Sequence, residues 1–126
     1  MKNLSLFLLF IFGHLIFQIF NMSIAKNAES LILFNKQYHS QTSYIVMGVL
    51  LFTPFLTIAN IAFGFGFQLG FKHFGNIWTI TIIFISSQML AALISNLIIL
   101  GHGLQKGPFA GFVISIIGLL IANLWK

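Results

Sequence analysis

Residues 77–101 read IWTITIIFISSQMLAALISNLIILG, and this uncharged stretch decides the fold. It is long enough to cross the hydrocarbon core of a bilayer, which takes about 20 apolar residues in a helix. Within hydrocarbon every backbone N–H and C=O group must be paired inside the element, so such a span is a helix. The strands of a membrane β-barrel are shorter and alternate in polarity, which this stretch does not. We therefore expect a transmembrane helix here.

The lysines separate three further uncharged stretches of sufficient length, which are Leu4 to Ala25, Ser43 to Phe71 and Pro108 to Trp125. Together the four stretches predict an all-α membrane protein with a four-transmembrane-helix bundle. The expected spans are residues 4–25, 43–71, 77–101 and 108–125. Because little chain remains outside them, we expect residues 1–126 to form a single membrane domain.

The composition indicates that lipid is the solvent for most of the surface. Hydrophobic residues make up 59% of the 126 residues, charged residues make up 6%, and the mean hydropathy is +1.03. An ordinary soluble domain carries roughly 25% charged residues. The six basic residues are isolated lysines, and their scatter argues against the clustered basic face of a nucleic-acid-binding protein. The absence of cysteine excludes disulfides and zinc–thiolate sites.

The first stretch has an alternative interpretation as a cleaved signal peptide. Lys2 precedes the apolar run, and Ser23-Ile24-Ala25 resembles a cleavage site with small residues. The run is longer than the roughly 7 to 15 residues of a signal-peptide core, which favours a retained helix.

Length and composition also predict the connections. The second stretch exceeds what a straight span needs and contains Pro54, which predicts a kink or a tilt. The preceding segment, Lys26 to Thr42, is the longest polar connection, and Leu31 to Phe34 within it predicts a short amphipathic turn at the membrane interface. Tight turns rich in glycine are expected at 72–76 and 101–107.

Lysine counts predict no fixed orientation in the membrane. With four spans, the lysines divide evenly between the two sides, with Lys2, Lys72 and Lys126 on one and Lys26, Lys36 and Lys106 on the other. Cytoplasmic loops normally carry the lysine excess. The balance leaves two alternatives open. Either the chain inserts both ways and forms antiparallel pairs, or the amino terminus or a partner subunit decides the orientation.

Small residues mark two helix faces where backbones can approach closely. In the fourth stretch they recur at spacings of four, three and four, on one face of a helix: Gly111, Ser115, Gly118 and Ala122. We interpret this face as a packing seam, within or between chains. A similar ladder of Ala62, Gly66 and Gly70 late in the second stretch predicts packing within the chain.

Polar residues form two stripes, one on the first helix and one on the third: His14, Gln18, Asn21, Thr81, Gln88 and Ser95. An ionisable group within a span is a functional hypothesis by default, and His14 lies well inside its span. Two facing stripes predict a cavity for a substrate. The alternative interpretation is hydrogen bonding between helices, which polar residues supply in many membrane bundles.

We do not expect an enzyme. The chain has no aspartate and one glutamate, Glu29 in a loop, so paired-carboxylate and magnesium-dependent chemistry lack their ligands. The four histidines, which are His14, His39, His73 and His102, lack the spacing and neighbouring carboxylates of a metal site. No catalytic residue, cofactor or metal ion is predicted.

The end of the chain resembles the small multidrug resistance family of the drug/metabolite transporter superfamily. The residues concerned are Gly101-His102-Gly103-Leu104, then Gly111 and Gly118, and then Asn123-Leu124. In that family two glycines seven apart on the fourth helix form the dimer contact, and Gly111 and Gly118 match this spacing. The stretch from Ile77 to Trp125 is similar to the family's third and fourth helices. The resemblance implies a multi-pass transporter of a bacterial inner (plasma) membrane.

The first helix departs from the family pattern. Drug exporters of the family use a membrane-embedded glutamate, where this chain has His14. Gly13-His14 instead resembles the small paired flippase subunits that move aminoarabinose linked to undecaprenyl phosphate. The resemblance therefore implies a homodimer or heterodimer that moves an amphiphilic or lipid-linked solute, with His14, Gln18 and Gln88 lining its cavity. The alternatives are proton-coupled efflux of small cations or drugs with His14 titrating, and a nontransporting accessory subunit of a membrane complex.

Overall fold

The described part of the chain folds into four α-helices, one π-helical turn and one short hairpin. The computed structural model describes the backbone of residues 2–101 and 106–124, and all side chains of these ranges except those of residues 2, 3, 100, 108, 119, 120 and 122–124. In chain order the elements are helix α1 (Lys2–Lys26), strands β1 (Ile32–Leu33) and β2 (Lys36–Gln37), and helices α2 (Gln41–Phe74), α3 (Ile77–Ser95) and α4 (Lys106–Leu124). A π-helical turn, Asn96–Leu100, continues α3. The fold is predominantly α-helical, as the sequence predicted, and the bundle of four transmembrane helices stays a prediction.

Three of the helices are long and apolar enough to cross a membrane, and the protein is a multi-pass integral membrane protein. The candidate spans are Leu4–Lys26, Gln41–Phe74 and Ile77–Ile99. In α4 the apolar stretch among the described residues, Phe109–Gly118, is shorter. Helix α2 has 34 residues and is therefore about 51 Å long, well above the roughly 30 Å of the hydrocarbon core. Pro54 lies inside it, and the helix is continuous through that position.

Local signals in the sequence set the ends of α2 and the start of α3. The Ser40 side chain caps the start of α2 by accepting from the Ser43 N–H at 3.2 Å. At the other end Gly75 adopts a left-handed conformation, with φ of 63°, and its N–H donates to the Phe71 carbonyl. Asn76 then caps α3 by accepting from the Trp78 N–H at 2.9 Å. This two-residue connection makes α2 and α3 antiparallel neighbours.

The core lies where α1 packs against both α2 and α3. Its buried members are Leu6, Phe10 and Ile80, and partly buried phenylalanines surround them. Glycines of α2 face α1, because a Cβ on Gly66 would overlap the Phe10 ring, and one on Gly70 would lie 3.2 Å from Leu6 Cδ1. The prediction that this ladder packs within the chain is confirmed.

The connection between α1 and α2 contains a β-hairpin rather than the amphipathic turn that the sequence predicted. Ile32 pairs with Gln37 and Leu33 with Lys36. The two turn residues, Phe34 and Asn35, both have positive φ, at 49° and 62°, which is the backbone of a type I′ turn. Leu33 is buried and approaches Gly48 of α2, so the hairpin packs on the start of that helix.

Candidate functional site

His14 joins α1 to α3 in the interior of the bundle. Its side chain is 5% exposed, and Nε2 lies 3.1 Å from the carbonyl oxygen of Phe84. A carbonyl oxygen only accepts, so Nε2 carries a hydrogen and donates it. The bond satisfies one polar atom of a residue that would be costly to bury unpaired.

Phenylalanine rings surround the imidazole. The His14 ring centroid lies 4.7 Å from that of Phe63 and 4.4 Å from that of Phe84. Phe10 extends the cluster, with its ring 5.2 Å from that of Phe84 in an edge-on arrangement. A glycine at position 13 is what admits Phe63, because a Cβ there would overlap its ring. His14 is therefore packed in an aromatic cluster.

A serine completes the polar contact on α3. Ser87 is fully buried, and its hydroxyl donates to the same Phe84 carbonyl at 2.7 Å. One carbonyl thus accepts from its own helix and from His14 of α1. Sequence reasoning missed Ser87 because it selected the helix face that contains Gln88. Ser87 is the preceding residue, and its side chain points about 100° away around the helix.

The other predicted cavity residues occupy different environments. On α1, Gln18 is half-buried and Asn21 is exposed. On α3, Thr81 is half-buried and donates to the Ile77 carbonyl at 2.9 Å, and Gln88 is exposed.

Ser95 is 2% exposed, and its hydroxyl has no hydrogen-bond partner within the described part of the chain. The structure thus places His14 and Ser95 in the interior and leaves Asn21 and Gln88 at the surface.

A cavity lies between the start of α1 and the end of α2, away from His14. We call it the terminal cavity. It has a volume of about 390 Å³ and is lined by Ser5, Leu6, Leu69, Gly70, Lys72, His73 and Phe74. Its lining combines the basic residues Lys72 and His73 with apolar side chains. The ring of His73 stands edge-on to that of Phe74, with 4.8 Å between the ring centroids.

The terminal cavity is lined by basic residues and by no acidic residue. Lys72 and His73 are exposed at its rim. The only acid in the sequence, Glu29, follows α1 and so lies beyond the opposite end of that helix. Sequence reasoning missed this cavity, although two adjacent basic residues at the end of a span were a signal that could have marked it.

A second cavity lies beside α3 and α4, and we call it the lateral cavity. Its volume is about 230 Å³, and its lining residues are uncharged: Phe7, Ser86, Met89, Leu90, Phe112, Ser115 and Ile116. The two hydroxyls in this lining donate to their own helices, Ser86 to the Ile82 carbonyl at 2.8 Å and Ser115 to the Gly111 carbonyl at 2.9 Å. Neither lining includes His14.

Within the described part of the chain, the predicted seam on α4 is open at its two glycines. Gly111 and Gly118 are exposed, and a Cβ on either would meet nothing within 4 Å. Ser115 is half-buried at the lateral cavity. Ala122 falls outside the described side chains. Packing among the described residues therefore does not account for the two glycines, and contact with another chain stays a prediction.

Across the described ranges, 2–101 and 106–124, no group of three histidine or acidic side chains is placed to hold a metal ion. Position 102, the fourth histidine of the sequence, lies outside them.

When the chain is compared with family models, curated proteins and solved structures, none of them matches it.

Proposed function

We propose that this protein is a small transporter of the drug/metabolite transporter type that moves an amphiphile with an anionic head group across the membrane. A polyprenyl phosphate, or a sugar linked to one, has the required chemistry. The terminal cavity is the observation that carries the proposal, because one space offers Lys72 and His73 beside Leu6, Leu69 and Phe74. Its volume falls within the roughly 300–1,000 Å³ of ligand pockets.

The chemistry of the lining fits such a substrate at both ends. The Lys72 ammonium group is a point charge with three donors, which suits a phosphate oxygen. Each basic side chain near a membrane surface contributes about 1 kcal/mol toward an anionic group. On the apolar side, Leu69 is 47% exposed and leads from the cavity along the lipid-facing surface of α2.

The position of the cavity supports the proposal as well. It lies at the ends of two membrane-spanning helices, where charged head groups meet hydrocarbon chains. A long lysine side chain near a helix end can keep its charge at the interface while its stem stays in apolar surroundings. A phosphate bound to Lys72 would therefore keep contact with water while its chain remains in lipid.

In this proposal α4 is the fourth span, and the transporter is a dimer. The open faces of Gly111 and Gly118 would pack against the same residues of a second copy or against a similar small membrane protein. Two such chains of opposite orientation would form an inverted pair, and their rocking would give alternating access. The hydrogen bond from His14 to the Phe84 carbonyl then joins α1 to α3 within each copy.

The test is flipping of a polyprenyl phosphate labelled with a fluorescent group on its chain. The purified protein is placed in vesicles, and dithionite added outside reports which leaflet holds the probe. We expect flipping well above that of protein-free vesicles. Lys72→Ala should reduce the apparent affinity about five-fold, which corresponds to about 1 kcal/mol. Lys72→Arg should retain most of the apparent affinity for the probe.

The matched control is Lys36→Ala, which removes an exposed lysine from the hairpin at the other end of α1. It should leave flipping unchanged. The absence of flipping, or an equal effect of the two alanine variants, would contradict the proposal. A reporter fused after Lys126 tests the topology, because insertion in both orientations places its signal on both sides of the membrane.

A nontransporting accessory subunit is the second candidate function. The open glycines of α4 favour it, since a larger partner could cover them as well as a second copy could. This function requires that the purified protein flips no probe by itself and that it co-purifies in fixed stoichiometry with one membrane protein. The aromatic packing of His14 offers no such support for proton-coupled cation efflux.

A further inference from the structure

The lateral cavity is lined chiefly by residues from the middle parts of α3 and α4, together with Phe7 near the start of α1. Ser86, Met89 and Leu90 lie near the middle of α3, and Phe112 and Ser115 occupy the middle of α4. With α4 as a span, as proposed above, a site at the middle of these helices is surrounded by lipid chains, because the head groups lie at the ends of the helices.

The chemistry of the cavity selects an apolar occupant. No charged side chain lines it, and its two serine hydroxyls already donate to carbonyl groups of their own helices. Its remaining lining is Met89 with aromatic and aliphatic side chains. Methionine is flexible and polarisable, so it adapts to chains of irregular shape. At about 230 Å³ the space is below the usual range for a drug-sized ligand and suits a segment of one hydrocarbon chain.

The linings of the two cavities include consecutive residues from one turn of α1. Ser5 and Leu6 line the terminal cavity, and the next residue, Phe7, lines the lateral cavity. Consecutive helical residues point about 100° apart, so this turn stands between the two spaces. An amphiphile bound at the terminal cavity therefore has a second, apolar space within reach on the other side of α1.

We infer that the lateral cavity binds one hydrocarbon chain of the amphiphile whose anionic head group lies in the terminal cavity. This inference rests on the proposed function. The inference requires a substrate that has either a single long hydrocarbon chain or several chains of which one can enter the cavity alone. The protein then recognises the head group and the chain at different depths.

The test uses a single-chain phosphate lipid that carries a diazirine at the middle of its chain. It is added to phosphatidylcholine vesicles containing the full-length protein, and photo-crosslinked peptides are mapped by mass spectrometry. We expect adducts concentrated on Met89 and Phe112, and at least five-fold fewer on the lipid-facing residues of α2. A neutral probe with the same chain and a hydroxyl head group should give at least three-fold fewer adducts at the cavity.

Filling the cavity should remove these adducts. Ser86→Leu places a larger apolar side chain in the space, and Ser115→Leu does so from α4. Each should lower the adduct yield at Met89 at least five-fold. The matched control is Thr53→Leu, since Thr53 also donates to a carbonyl four residues earlier but is exposed on α2. Thr53→Leu should leave the adduct yield at Met89 unchanged. Circular dichroism checks that all three variants are folded.

The outcomes separate this inference from the proposed function. Adducts spread evenly over the lipid-facing helices, in a protein whose flipping still depends on Lys72, would overturn the chain site and leave the transporter standing. Equal adduct yields from the phosphate and neutral probes at the cavity would also overturn it, because the space would then take any membrane chain. Cavity adducts that depend on both the phosphate and Lys72 support both proposals.

Discussion

The contact between α1 and α2 gives a sharp prediction for Gly66. In the native packing the Phe10 ring lies over this glycine, and an added Cβ would come within 2.8 Å of Phe10 Cδ1. Real Cβ atoms do not approach that closely, so Gly66→Ala forces either the ring or the helix to move. Gly64 is in the same helix, two residues earlier, and a Cβ there would meet nothing within 4 Å. Comparing Gly66→Ala with Gly64→Ala separates the effect of side-chain packing from the effect of alanine on the helix backbone.

The expected magnitudes follow from two opposing terms. Replacing glycine with alanine inside a helix stabilises it by about 0.8–1 kcal/mol, and this gain applies to both positions. Overpacking a well-packed core costs about 1–3 kcal/mol, and this cost applies to Gly66 alone. Gly64→Ala should therefore raise the free energy of unfolding by nearly 1 kcal/mol. Gly66→Ala should fall about 1–3 kcal/mol below Gly64→Ala.

The assay is unfolding in mixed micelles of a mild detergent and SDS, with helicity followed by circular dichroism. A double variant provides the internal check, because Phe10→Leu shrinks the ring that Gly66→Ala would strike. Residues in contact are non-additive by about 0.5–3 kcal/mol, so the two changes together should cost less than their sum. If Gly66→Ala were as stable as Gly64→Ala, the packing of α1 on α2 described above would be refuted.

Three further substitutions test other contacts. Tyr44→Phe removes the 2.9 Å bond from the hydroxyl to the Ile24 carbonyl and should lower the free energy of unfolding in the micelle assay by about 0.5–1.5 kcal/mol. His14→Phe keeps a ring but loses the bond to the Phe84 carbonyl, so the same assay should give a loss of about 0.6–1.7 kcal/mol. A Cβ at Gly118 would meet nothing within 4 Å in the described part of the chain, so Gly118→Leu should not lower the free energy of unfolding. It should, however, abolish chemical cross-linking of two copies in vesicles.

Each substitution has a control of the same chemistry at another position. Tyr38→Phe removes a hydroxyl from the ring beside Tyr44, and His39→Phe replaces an exposed histidine. Gly64→Leu adds the same side chain to an open position of α2. Equal losses in a substitution and its control would assign the effect to composition rather than to the contact. Persistent cross-linking of Gly118→Leu would remove α4 as the dimer surface.

The sequence predicted the helices well because hydrocarbon leaves few choices. Lysines bound the apolar stretches, and within lipid an unpaired backbone is too costly for any element but a helix or a closed barrel. The hairpin was not predicted because its turn is Phe34-Asn35, whereas a type I′ turn usually carries glycine. Its register depends on Leu33 packing against Gly48 of α2, which is a tertiary contact.

The candidate site was harder to predict because helix rotation is a tertiary property. A seven-residue spacing selected Thr81, Gln88 and Ser95. Of these only Ser95 lies on the buried face of α3, which also contains Ile80, Ser87 and Ala91. An error of one residue rotates a helix by 100° and exchanges its buried face for another. The terminal cavity depends on the antiparallel pairing of α1 with α2, which brings residues about 70 positions apart to one end of the bundle.

The absence of any carboxylate from the spans is understandable if the head group enters at the rim. A charge at the centre of a bilayer is costly, and drug exporters with a buried glutamate accept that cost to hold a cation. An anionic head group at Lys72 needs no buried charge, because the cation stays at the interface. Its crossing then requires polar groups inside the bundle, and the Ser95 hydroxyl, which has no partner in the described structure, offers one at a buried position of α3. Because proteins retain few unpaired buried polar groups, the proposed transport predicts that a passing head group gains a hydrogen bond from Ser95.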